Sequence, residues 1–140
     1  MSAFPATYTH EDALGFMEFL ESTRNLKTCL ELGIFDKESG QFIGMCELDM
    51  ISHYAHTCEL GYWLNKDFVG KGYMYECVSA LIKYAKDELG MLTLTASVIT
   101  ENTRSISLLE RLGFQKVNLY LGSVKNKGHR ADEFMYELHL

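Results

Sequence analysis

No apolar run in this chain of 140 residues approaches the roughly 20 residues that a membrane-spanning helix needs. The first residues, Met1-Ser2-Ala3-Phe4-Pro5, lack the basic and apolar regions of a secretory signal. The cytoplasm is therefore the expected compartment, with no membrane partner. The four cysteines, Cys29, Cys46, Cys58 and Cys77, contain no C-x-x-C pair, and each is embedded in apolar sequence. Buried, reduced thiols are expected rather than disulfides or metal ligands. The five histidines, His10, His53, His56, His129 and His139, lack the spacing of H-E-x-x-H, so no metal is expected. Basic excess is missing too. A formal net charge of −6 argues against nucleic acid, whose partners carry a basic stripe. That charge would steer a cationic substrate favourably, or serve solubility alone. Low-complexity segments, linkers and internal repeats are absent.

What is present reads as one domain, residues 1–140, with enough apolar sequence for a real core. Hydrophobic residues make up 47% and charged residues 23%. Thr9 and Asp12 frame a capping box, and Ala13, Phe16, Met17 and Leu20 follow at helical spacing, fading near Thr23 to Asn25. Strands are expected at Thr28 to Phe35 and Gln41 to Met50, joined by the polar turn Asp36 to Gly40. His56 to Leu64 gives a third strand. Met74, Cys77, Val78, Leu81, Ile82, Ala85 and Leu89 trace one face of a long helix that Gly90 stops. Leu92 to Ile99 reads as a strand, and Ile106, Leu109 and Leu112 as a short helix closed by Gly113. Phe114 to Val124 and Ala131 to Leu140 are the last strands, linked by Lys125-Asn126-Lys127-Gly128. The first three strands suit an antiparallel meander. The step from His56 to Ile99 suits a parallel crossover. A mixed sheet flanked by helices follows, in the α/β to α+β range.

The densest signal is Phe68-Val69-Gly70-Lys71-Gly72-Tyr73-Met74, between a strand and a long helix. A glycine-rich turn opening a helix presents backbone N–H groups without partners, at the positive end of the helix dipole. Such a turn suits phosphate, and glycine lets the anion approach the backbone. A Walker A loop would need Gly where Asn65 stands and Ser or Thr where Gly72 stands. The dinucleotide fingerprint would need glycine where Tyr75 stands.

Three blocks together resemble the GNAT superfamily of N-acetyltransferases. They are Glu59-Leu60-Gly61-Tyr62-Trp63-Leu64, then Gly70-Lys71-Gly72-Tyr73 with Glu76, then Asn102-Thr103-Arg104-Ser105 through Leu112-Gly113-Phe114. Within that superfamily the chain is most similar to the acetyltransferases of ribosomal-protein N-termini, the RimJ/RimL type. The resemblance runs from about Thr9 to Leu140. It implies an acetyl-CoA-dependent enzyme in which the pantetheine arm fills a gap between two splayed strands. Carried over, the backbone of Trp63, Leu64 and Asn65 would bond that arm, and the amides around Gly70, Lys71, Gly72 and Tyr73 would hold the pyrophosphate. Lys71 would add a charge there or simply be solvated. The family often has Gln or Arg three residues before the first glycine. Here that residue is Asp67, which cannot donate when ionised, so backbone amides should carry more of the binding.

Acetyl transfer from a thioester needs a neutral amine, a polarised carbonyl and an acid for the departing sulfur. An alkyl amine near ~10 deprotonates less readily than an α-amine near ~8. Glu59 is the candidate base, with Glu47 on the neighbouring strand as a rival and an exposed strand residue as the plain alternative. Alternation puts Glu59, Gly61 and Trp63 on one face, with Leu60, Tyr62 and Leu64 on the other. Asn102 suits both a contact to the pantetheine arm and a helix N-cap over Ser105. The tyrosine that serves many members as general acid is replaced by Leu109. Ser105 matches the serine of the ribosomal-protein group and is the candidate proton donor. Phe16, Phe19, Tyr62 and Trp63 either wall the acceptor pocket or pack in the core. Asp132 and Glu133 either meet a cationic acceptor or are exposed acids.

Relatives begin with a further strand and helix, for which Met1 to Tyr8 is too short. An exposed sheet edge, or a second subunit covering it as in a homodimer, is the expected consequence. The acceptor is an amine, either a protein N-terminus or a small molecule. The rival function is an acyl-CoA-binding module without catalysis, and a nucleotide-binding protein comes third.

Overall fold

The computed structural model describes residues 28–140; the helix expected from Thr9 to Asn25 lies outside them. Three strands, β1 (Leu30–Phe35), β2 (Phe42–Ser52) and β3 (Thr57–Leu64), form the antiparallel meander. Its first turn closes on Asp36, whose carbonyl accepts from Gly40 N–H at 2.8 Å and whose carboxylate accepts from Ser39 N–H at 3.0 Å. A short 3-10 turn, Lys66–Phe68, leads into helix α1 (Tyr73–Asp87). Strand β4 (Thr93–Ile99), helix α2 (Thr103–Arg111), β5 (Gln115–Asn126) and β6 (His129–His139) complete the order.

The sheet runs β1-β2-β3-β4-β6-β5. The β3–β4 pair is parallel, with α1 in the crossover, and every other pair is antiparallel. The last strand slips between β4 and β5, so β1 and β5 are the edges among the described residues. This is the mixed, mostly antiparallel α/β sheet that the sequence pattern calls for.

Alternation separates the two faces of the sheet. Leu30, Leu48 and Leu60 stand side by side across β1, β2 and β3, and Cys58, Leu94 and Leu138 form the next row on the same face. All but the half-buried Leu138 are buried, in one cluster with Val78, Leu81 and Ala85 of α1 and Leu109 of α2. The opposite face carries Glu31, Glu47, Asp49 and Glu59, with Glu137 and Glu133 farther along. Helix α1 keeps Met74, Val78, Leu81 and Ala85 buried, the period that its sequence shows. It stops at Asp87, short of Leu89. Leu89 N–H donates to the Tyr84 carbonyl and Met91 N–H to the Ala85 carbonyl, so the last turn closes as Gly90 enters the left-handed region at φ +68°.

The final hairpin is tighter than the four-residue link Lys125 to Gly128 expected from composition. Lys125 and Asn126 still pair with Arg130 and His129. Only Lys127 and Gly128 turn, at φ +51° and +84°. Two consecutive left-handed residues match the twist of the flanking strands.

One glycine in this framework sets the spacing beside the site. A Cβ on Gly44 would lie 2.4 Å from the Trp63 carbonyl oxygen and 3.1 Å from Leu64 Cα. Both obstacles are backbone, so β2 and β3 would have to separate. Gly44→Ala is expected to destabilise the fold by about 2 kcal/mol, read as a lower urea midpoint at unchanged slope.

Candidate active site

Pairing between β3 and β4 stops early. Thr57, Cys58 and Glu59 meet Thr93, Leu94 and Thr95, and beyond that register the strands part. Backbone direction alternates along a strand. The His56 carbonyl accepts from Leu92 and Thr93 N–H on the β4 side, whereas Asn65 N–H donates to Ile43 on the β2 side at 2.7 Å. The peptide groups of Tyr62 and Leu64, beyond the last β3–β4 pair, therefore face the gap, and those of Gly61, Trp63 and Asn65 face β2. Asn65 is fully engaged. Its carbonyl accepts from Phe68 N–H, and its side chain accepts from Asp67 N–H at 2.9 Å. It starts the 3-10 turn rather than offering a free amide to the gap.

The glycine-rich turn follows. Gly70 and Gly72 sit at φ +78° and +82°, where a side chain is strained. Gly72 is the N-cap of α1, and no side chain caps this end. The first amide with a helical partner is Glu76 N–H, bonded to Gly72 at 3.1 Å. Among the described residues, the amides from Val69 to Tyr75 have no hydrogen-bond partner. Tyr73 steadies the turn from the side, its hydroxyl 3.5 Å from Asp36 Oδ1.

The end of β3, this turn with the start of α1, and one face of α2 line an open cleft of about 760 Å³. Tyr62, Trp63 and Leu64 line it from β3. Val69, Gly70 and Gly72 to Tyr75 line it from the turn and α1, and Asn102 to Ser105, Ser107, Leu108 and Arg111 from α2. The three sequence blocks thus converge on one space. Asn102 accepts from Ser105 N–H at 3.2 Å through its side-chain oxygen, as an N-cap does. Asn102 is also part of the cleft wall.

Residues 1–115 match the family described as Acetyltransferase (GNAT) domain. The chain belongs to the GNAT acetyltransferase family. It is 39% identical over 105 residues to the uncharacterized N-acetyltransferase p20 of Bacillus licheniformis, covering 75% of this chain and 59% of that protein. Over 85 residues it is 34% identical to the [ribosomal protein uS5]-alanine N-acetyltransferase of Escherichia coli strain K12, covering 60% of this chain and 44% of that one. The chain spans about half the length of these curated relatives. Among solved structures it shares its fold with the microcin C7 self-immunity acetyltransferase MccE in complex with acetyl-CoA and AMP. The TM-score is 0.75 at 24% identity, covering 93% of this chain and 71% of that one.

On this GNAT frame, Glu59 sits at the fork, in the last residue pair before β3 and β4 part. Its side chain shares the acidic face with Asp49, its partner on β2, and does not line the cleft. Burial, then the charges of Asp49 and Glu133, pushes its carboxyl up from the ordinary glutamate range. Glu47 is raised likewise, by burial and then by Glu31, Asp49 and Glu59. Its side chain lies over Gly61, where a Cβ would come within 2.8 Å of Oε1.

Ser105 is held more firmly than its sequence suggests. Its hydroxyl is 2.5 Å from the Tyr62 hydroxyl, across the mouth of the gap. Burial raises the Tyr62 phenol, which the bond to Ser105 partly offsets, so the phenol is protonated at neutral pH. The bond joins residues 43 apart in the chain, so local pattern could not reveal it. The thiols of Cys46, Cys58 and Cys77 are pushed up to about 12, 11 and 11, chiefly by burial. All three are protonated at neutral pH, the state of structural rather than reactive thiols. Two cations on the cleft wall, Arg104 and Arg111, escaped the sequence reading. The available signal was their spacing on α2, two turns apart on one face.

Proposed function

We propose that this chain forms the acetyl-CoA-dependent domain of an N-acetyltransferase that passes an acetyl group directly to an amine. The observation that carries this reading is the parted strand pair leading into a row of amides, Val69 to Tyr75, that have no partner among the described residues. Few ligands are both an extended, hydrogen-bonding arm and a diphosphate. Acetyl-CoA supplies the acetyl group as a thioester. The cleft suits it, because the glycine turn is open to anions and the β3 edge offers peptide groups to an extended arm.

In this reading the amides of Gly70, Lys71, Gly72 and Tyr73 hold the pyrophosphate. The peptide groups of Tyr62 and Leu64 pair with the arm, while the Trp63 side chain shapes the wall and Asn65 anchors the turn that follows. The Asn102 NH₂ donates to the arm while its oxygen caps α2. Glu59 takes a proton from the acceptor ammonium at the fork, where burial brings its basicity closer to that task. Ser105 Oγ, braced by Tyr62, holds the proton destined for sulfur. The acidic face around Glu59 favours an acceptor that arrives as a cation. A protein N-terminus, as in the name of the Escherichia coli relative, and a small amine both satisfy this.

Thiol release from acetyl-CoA, measured over a panel of alanine-first peptides and small amines, tests the reading. Amine-dependent release is the expected result. Tight binding of acetyl-CoA with no release on any amine would replace the enzyme with a non-catalytic binding module. Binding of ATP in preference to coenzyme A would end the reading altogether.

A further inference from the structure

We infer that Arg104 and Arg111 form a two-point phosphate reader that makes the cleft selective for the 3′-phosphorylated form of coenzyme A. The inference rests on the proposed cofactor site and adds side-chain recognition to it. Asp67 cannot donate when ionised, and Lys71, whose ammonium lies 5.5 Å from the Phe68 ring centroid, is only a point charge, so a forked side-chain donor has to come from outside the turn. Helix α2 provides it. The Arg104 Nη1 atom lies 3.9 Å from where a Cβ on Gly70 would be, which puts the guanidinium beside the bare amides. Arg111 rests over the Tyr75 ring, its Cζ 4.7 Å from the centroid. Both arginines and Tyr75 line the same cleft.

Seven residues separate the two arginines, so they share one face of α2 about 10 Å apart. One guanidinium therefore reaches the turn, and the other reaches one ligand unit farther out. Among the described residues neither makes an ion pair. Unpaired guanidinium groups converging on one cleft stand out in a chain with a net charge of −6. A fork of N–H donors matches phosphate oxygens, whereas a single ammonium such as Lys71 is only a point charge. Arg104 is thus placed for the diphosphate, and Arg111 for the lone phosphate on the ribose. Tyr75 steadies the Arg111 guanidinium and offers a ring to the adjoining base.

Calorimetry with coenzyme A and 3′-dephospho-coenzyme A separates the two roles without any turnover. The unaltered chain is expected to bind coenzyme A about 10-fold more tightly, the scale of one charge-assisted contact. Arg111→Ala should bind both ligands equally, at the affinity the unaltered chain has for the dephospho form. Arg104→Ala should weaken both by about 10-fold or more and keep their ratio. Both side chains are exposed, so the variants should unfold at the original temperature. Equal affinity of the unaltered chain for the two ligands would overturn the inference and leave the cofactor site standing. So would an Arg111→Ala variant that still discriminates. Binding of neither ligand would remove the site and the inference together.

Discussion

Gly72→Val should weaken acetyl-CoA binding on the order of 100-fold, or nearly 3 kcal/mol, while the domain stays folded. A Cβ at Gly72 meets no protein atom within 4 Å, so the substitution produces no clash inside the molecule. Its effect falls on the backbone and on the cleft. Gly72 sits at φ +82°, and an L-residue there is strained by about 1–2 kcal/mol, more when β-branched. Rotating the turn relieves that strain and swings the amides of Tyr73 and Met74 away from their common direction. The new side chain also stands where an anion would approach. Gly90 is the control, because it is equally left-handed at φ +68° with equally open surroundings, but it closes the far end of α1. Gly90→Val should lower the thermal midpoint about as much and leave the affinity alone. Equal loss of binding in both variants would mean that the turn matters only through stability.

Much of this site was legible because its signals are local. The three blocks are contiguous runs, and each converts directly into geometry. The glycines of the turn mark positive φ, Asn102 marks a cap, and alternation from Glu59 to Leu64 sorts one face from the other. The same logic set the meander, the parallel crossover and the apolar face of α1. What escaped depends on contacts distant in sequence or on ambiguous residues. The Tyr62–Ser105 bond spans the sheet and α2. Asn65 lies next to the gap, yet its N–H is claimed by Ile43, because peptide direction depends on which neighbour β3 pairs with. Lysine is an uncommon left-handed residue, so Lys127 hid a two-residue turn. The insertion of β6 between β4 and β5 is a topological choice that no single segment encodes. Arg104 and Arg111 read as ordinary helix surface until α2 is set against the glycine turn.

Glu59→Gln should move activity and stability in opposite directions. As the proposed base, Glu59 must be ionised to accept a proton, so kcat/KM should rise with pH through its raised pKa. Its loss should lower kcat/KM on the order of 100- to 1000-fold and remove that rising limb. For stability the sign is reversed. Burial and the neighbouring Asp49 and Glu133 raise its carboxyl, so the folded chain holds this proton more tightly than the unfolded chain does. Over the window from the ordinary glutamate value, about 4.3, up to the raised one, the folded state therefore loses stability as pH rises. Above that window the full penalty of the half-buried charge is present. Glutamine keeps the shape and carries no charge, so the variant should melt higher than the unaltered chain at neutral pH and lose that advantage in acid. A base placed where its charge strains the fold is the usual trade between function and stability. Thermal melts at two pH values, alongside pH profiles of thiol release, check both halves. Unchanged turnover with a higher midpoint would shift the proton-accepting role to Glu47, whose carboxyl is also raised, by burial and then by Glu31, Asp49 and Glu59. A lower midpoint at neutral pH would show that the carboxylate has a stabilising partner on that face, and that burial and like-charge repulsion do not control its basicity.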